Sequence, residues 1–391
     1  MSLQPLWLRL LDIATIQFNR CFLFRSSAQR GHFMVISWLR RLDDSALAIC
    51  IASFLHRISF PKSKFKTGGV DLSQRLILAA GLLKGDGFVD EDEALCAVED
   101  SRRNIIPGWR IIPALVGPVE FGSFTRNPRT GNEGTVFWRH EATRSTQNRV
   151  GLRNPGARAA ALFLGKRRSR LPKAFGINIA VSPGVTDINQ HERDVVDSLD
   201  FFLDAGVHPA WFTLNLSCPN TEDDPQGYQL EAETRKLCSA FVSRLRSREL
   251  HIPLWVKLSP SLAPEQYQTL MRVSAESGVK AVVATNTLPQ RHPDDSSVIA
   301  GAGGGALFEE AVTAARHLHR AKKRNNYKVD LIGCGGILDG ETFAEYRSLG
   351  VEVAQYWSAL VYRGPFAAAI IENELADYDY QYEAVQRESL A

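Results

Sequence analysis

Short, apolar, β-rich runs alternate eight times with helix-like stretches from residue 75 onward. They fall at 75–80, 116–124, 176–181, 211–216, 253–258, 280–285, 329–333 and 351–356. Several are apolar almost without a break, as strands are when both faces of a parallel sheet are covered. Parallel neighbours need long crossover connections, and stretches such as 264–278 and 339–350 can provide them. In the second, Asp339 stands where a helix is capped, Phe343, Tyr346 and Leu349 recur at helical spacing, and Gly350 ends the run. Eight β-then-α units predict an α/β fold, a (β/α)8 TIM barrel, which needs about 250 residues. The chain has 391. Its natural division is an arm over 1–70, a barrel over 71–380 and a tail over 381–391.

The arm differs in charge from the rest. Residues 1–70 hold ten Lys and Arg against three Asp, a net +7, and the remainder is net −4. Two apolar stripes appear at helical spacing, Trp7, Leu11, Ala14 and Phe18, then Leu47, Ile51, Phe54 and Ile58. The longest uncharged apolar stretch, 46–55, is ten residues, against the roughly twenty that span a bilayer. No small-residue cleavage site follows a clean apolar core, so a signal peptide is not expected. The pattern predicts a pair of amphipathic helices that lie in a membrane interface or pack on the body. Bulky aliphatics between the basic residues fit a membrane better than nucleic acid. The segment 125–172 is too long for a simple connection and reads as a functional lid or a disordered insertion.

Polar residues gather at the carboxyl ends of the strands, where barrel enzymes do their chemistry. Four of these are Asn148, Asn215, Asn220 and Asn286. A carboxamide offers a donor and an acceptor in one plane and does not titrate. Such a set matches the alternating N–H and C=O groups of a pyrimidine ring. Lys257 interrupts an otherwise apolar strand, and a buried lysine needs a partner or a task. It would hold charge beside a reduced flavin or form a Schiff base as in an aldolase. Gly335 and Gly336 after the seventh strand, Ser358 after the eighth and Gly303–Gly305 could cradle a phosphate. Cys218 sits on a turn between two asparagines, and an activated thiol can serve as a general base. Six cysteines without a C-x-x-C argue against an iron–sulfur cluster or structural zinc, and no metal site is expected.

The string Leu214-Asn215-Leu216-Ser217-Cys218-Pro219-Asn220-Thr221 resembles the catalytic loop of the dihydroorotate dehydrogenases, flavin enzymes of pyrimidine biosynthesis. The resemblance extends from about 76 to 365. It implies oxidation of dihydroorotate to orotate, with FMN as cofactor and Cys218 as the base. The implied substrate contacts are Lys84, Asn148, Asn215, Asn220, Asn286 and Thr287. The implied flavin contacts are Ala80, Gly81, Lys84, Asn178, Asn215, Lys257, Thr285, Gly305, Gly335, Gly336, Trp357 and Ser358.

Two classes of that family differ at the base. Cys218 and the Asn-x-x-Gly-Leu-x-Asn-Pro-Gly string at 148–156 resemble the soluble class. The arm and the 117–125 segment resemble the class that reduces membrane quinones. The expected acceptor is a quinone and the expected location the cytoplasmic side of a membrane, held peripherally. Trp357 replaces a usual tyrosine, 104–115 reads as an insertion, and the acidic 222–225 loop suits an anion poorly. Another dihydropyrimidine, a soluble acceptor and the Schiff-base aldolase are the alternatives.

Overall fold

A computed structural model describes residues 6–60, 63–100, 102–216, 231–293 and 295–389, with side chains given to 378. Eight parallel strands close a barrel: β1 (Leu76–Leu78), β2 (Val119–Phe124), β3 (Phe175–Ala180), β4 (Trp211–Asn215), β5 (Leu254–Leu258), β6 (Ala281–Ala284), β7 (Asp330–Cys334) and β8 (Ala354–Tyr356). They pair in chain order, β8 returning to β1. All eight are the runs expected from the sequence. Alternate residues point outward under the helices, such as Phe212 and Leu214 on β4, while Trp211 and Trp255 point inward. This is the strand period of two acting on strands covered from both sides. Asp339 caps the helix Gly340–Ser348 by accepting from Thr342 N at 3.0 Å, and Phe343 and Tyr346 are buried beneath it.

The floor is closed by a hairpin of Phe65–Thr67 and Val70–Leu72. Trp255 Nε1 donates to Gly68 O at 2.9 Å, and its ring stacks on Trp211 at 4.5 Å between centroids. The mouth is covered by an antiparallel four-stranded sheet in the order Leu288–His292, Asp295–Gly304, Ser145–Asn148, Phe137–His140. The long 125–172 segment is therefore ordered in part as half of this cover and continues into the helix Ala157–Gly165. The carboxyl-terminal helix runs Ala367–Ser389, across residue 380.

The arm holds three α-helices rather than the expected pair: α1 (Leu6–Phe18), α2 (Ala28–Leu42) and α3 (Ala46–Ser59). A π-helical turn, Asn19–Leu23, follows α1. α2, the helix not expected, is capped by Ser27, which accepts from Arg30 N at 3.3 Å, and it turns Ala28, Val35, Leu39 and Leu42 to one face. The arm is fastened to the barrel by buried polar contacts. The Asp43 carboxylate accepts from Asn104 Nδ2 at 2.7 Å and from the amides of Gly108, Arg110 and Ile111 at 2.6–3.0 Å. Arg363 donates to Asp12 at 2.7 Å and to Glu374 at 2.8 Å. No helix among the described residues is long and apolar enough to cross a membrane.

Candidate active site

One cavity of about 710 Å³ runs from the carboxyl ends of the strands to the arm. At the barrel end it is lined by Ala80, Gly81, Lys84, Asn148, Asn215, Lys257, Thr285, Asn286, Thr287, Gly335, Gly336, Trp357 and Ser358. Ala80, Gly81, Thr285, Gly335 and Trp357 follow the ends of barrel strands, Asn215 and Lys257 point in from paired strands, and Asn148 comes from the cover sheet. The amides are linked to one another. Asn286 Nδ2 donates to Asn215 Oδ1 at 3.2 Å, and Asn215 Nδ2 donates to Ser123 Oγ at 3.2 Å. Asn286 Oδ1 takes the Thr287 amide at 2.9 Å. A side chain already held by its neighbours is fixed before a ligand arrives.

Lys257 is 6% exposed and donates through Nζ to Gln355 Oε1 at 2.9 Å. Cys334 lies beside it; burial pushes its thiol pKa up, and the nearby lysine partly opposes that rise. Gly335 and Gly336 have φ of +127° and +71°, a region open to glycine, and a Cβ on Gly336 would stand 2.6 Å from Phe308 Cα. The Thr146 hydroxyl lies 2.8 Å from that of Ser358, joining the cover to β8.

Two of the expected residues are not among those that line the cavity. Asn178 is completely buried inside the barrel, where its Nδ2 donates to Glu120 Oε2 at 3.2 Å. Gly305 does not line the cavity; its backbone presses on the carbonyl of Thr143 in the cover. Cys218 and Asn220 lie outside the described residues. Sequence reasoning passed over Ser123, Thr146, Gln355 and Glu120. The last two could have been found by the argument that singled out Lys257, since each is a polar residue in an apolar strand.

The arm end is apolar, with Phe18, Val35, Leu39 and Leu42 on the wall. Asn19, His32 and Arg139 also line it. Asn19 Nδ2 donates to Val361 O at 3.1 Å, and Arg139 donates to Ser26 O at 2.8 Å. Burial, helped by the positive charges of Lys84 and Arg153, pushes His32 down to about 4, so its imidazole is neutral at neutral pH.

The family model for dihydroorotate dehydrogenase matches residues 111–378. The dihydroorotate dehydrogenase (quinone) of Chromobacterium violaceum is 29% identical over 367 residues, 92% of this chain and 97% of that protein. That of Neisseria gonorrhoeae is 30% identical over 304 residues, 77% and 83% of the two chains. The crystal structure of Eimeria tenella DHODH in complex with ferulenol superposes with a TM-score of 0.65 at 21% identity, over 87% of this chain and 92% of that one, a likeness of fold. With these matches the aldolase reading of Lys257 falls away. The chain belongs to the dihydroorotate dehydrogenase family.

Proposed function

We propose that this enzyme oxidises dihydroorotate to orotate at the barrel end of the cavity and passes the electrons to a membrane quinone at the arm end. The observation that carries the reading is the single cavity with two kinds of wall, a ring of amides and a lysine at one end and aliphatic side chains at the other. The polar end suits a small dihydropyrimidine, and the apolar end suits a quinone.

The barrel end has the groups a flavin needs. Asn178 Oδ1 and Gln355 Nε2 are buried without hydrogen-bond partners among the described residues, one an acceptor and one a donor. Lys257 provides a fixed positive charge, and Gly335, Gly336 and Ser358 provide backbone and hydroxyl groups for a phosphate. FMN, when bound, supplies the hydride acceptor. Asn148, Asn215, Asn220 and Asn286 hold the substrate ring by donor–acceptor pairs, with Thr287 and Lys84 completing the set. Cys218, as general base, takes the proton from C5 of dihydroorotate, and hydride leaves C6. The arm, residues 1–70, rests peripherally on the cytoplasmic side of the membrane through its exposed apolar face, with no spanning helix among the described residues.

An anaerobic absorbance titration of the detergent-solubilised protein with dihydroorotate tests this. Bleaching of a flavin band, reversed by added quinone, is expected. A flavin that stays oxidised moves the substrate to another dihydropyrimidine. Reoxidation by fumarate but not by quinone moves the acceptor to a soluble one.

A further inference from the structure

Asn178 and Gln355 are carboxamides inside the barrel, and the shape of an amide does not tell its oxygen from its nitrogen. Two neighbours with an unambiguous sense decide it here. Glu120 on β2 is 1% exposed and receives Trp211 Nε1 at 2.9 Å and the Thr213 hydroxyl on the same oxygen. A carboxylate only accepts. What it takes from Asn178 at 3.2 Å is therefore an N–H, from Nδ2 to Oε2. Asn178 Oδ1 is left facing away from it, buried and unpartnered among the described residues. The ammonium of Lys257 only donates. It takes Gln355 Oε1 at 2.9 Å and leaves Nε2 buried and unpartnered among the described residues. A buried polar atom without a partner is costly. A lone acceptor and a lone donor inside one barrel point to a group that supplies both missing halves.

We propose that Glu120 is a positioning residue for the flavin site. By holding Nδ2 of Asn178, it keeps the buried Oδ1 as a permanent acceptor for a ring N–H of the cofactor, with Gln355 Nε2, from the cavity wall, as the donor. Glu120 does not line the cavity and acts only through Asn178. The assignment rests on the reading of the barrel end as a flavin site. The pyrimidine edge of a flavin alternates C=O and N–H, so an amide free to turn over would meet it with the wrong end part of the time.

The test is FMN binding to the purified full-length protein, read by flavin fluorescence and by the position of the bound absorbance band. In Glu120→Gln the new amide can donate or accept, so Asn178 is released to reverse. FMN binding is expected to weaken by about tenfold or more, the worth of one well-placed hydrogen bond. The double variant Glu120→Gln/Asn178→Asp restores the sense. The glutamine donates to one oxygen of the aspartate, and the other oxygen faces the ring as an acceptor. Binding is expected to return to within about threefold of wild type, a coupling that independent sites would not show. Trp255→Phe, which removes a buried donor of the same interior without touching Glu120, is expected to lower the melting temperature and leave FMN affinity unchanged. A Glu120→Gln protein that binds FMN like wild type, or a double variant no better than the single, overturns the assignment. A wild-type protein that binds no FMN overturns the flavin reading itself.

Discussion

Glu120, Asn178, Lys257 and Gln355 are 0–6% exposed at the centre of the barrel, whereas Leu47, Ile51, Phe54 and Ile58 stand 49–71% exposed along one face of α3. The two regions invert the ordinary distribution of side chains, and each inversion asks for something the chain does not contain. Polar groups inside a barrel are there to meet a polar ligand. Apolar groups outside, when contiguous, are there to meet an apolar surface. The arm exposes further large apolar residues on its other helices, Leu6, Leu10 and Ile13 on α1 and Phe33 and Trp38 on α2. The arm's other side is fastened to the barrel through Asp43 and Arg363, so packing and exposure are the two faces of the same helices.

The contrast can be broken at either end. The largest effect is expected from Cys218→Ala, which should leave FMN bound and slow its reduction by dihydroorotate by about 10²–10⁴-fold, the usual worth of a general base. Stopped-flow reduction at wild-type speed would remove the thiol from the chemistry. Asp43→Ala leaves four donors without their acceptor at the arm–barrel seam. A loss of about 3 kcal/mol is expected by chemical denaturation, and a loss below about 0.5 kcal/mol would mean the seam is not held there. Replacing Leu47, Ile51, Phe54 and Ile58 with serine should weaken binding to anionic vesicles roughly a hundredfold, taking about 0.7 kcal/mol for each partly inserted side chain. Flavin reduction should not change. If vesicle binding survives, the exposed face of α3 is not the membrane contact.

The smallest expected effect concerns pH. Glu372, half-buried on the carboxyl-terminal helix, accepts the Arg75 and Leu76 amides at the start of β1 at 2.7 and 3.2 Å. Burial raises its pKa from 4.5 to about 7, against the lowering by those amides and by Arg75. The folded protein thus binds a proton more tightly than the unfolded chain, and this stabilisation is complete below about pH 4.5 and lost as pH rises through about 7. Between pH 6 and 8 the loss should be about 1 kcal/mol. Glu372→Gln should flatten that part of the profile; an unchanged slope would place its origin elsewhere.

The eight strands were legible because each is an apolar run whose neighbours in the barrel are its neighbours in the chain. Lys257 was legible as a cation in such a run, and Asn215 and Asn286 as amides just where strands end. Glu120 was no harder to see, but its task was, since nothing near it in sequence says that Asn178 lies across from it on β3. The cover sheet was missed because it is two local hairpins, 137–148 and 288–304, that meet only at long range, with Asn148 opposite Gly301. α2 was passed over although Ala28, Val35, Leu39 and Leu42, which line the cavity, recur at helical spacing with Gly31 and His32 between them.

Strand order, the end of the barrel that carries chemistry and the basic, apolar character of the arm are properties of the sequence alone, since each follows from side-chain type and local period. Which face of α3 meets solvent, which end of each amide is turned toward a ligand, and the joining of arm and barrel into one cavity belong to the tertiary structure. Those depend on contacts between distant parts of the chain, as when Arg363 holds Asp12, 351 residues before it. A local pattern can say that a charge needs a partner, but only the packed chain supplies the partner and so the direction in which the remaining groups face.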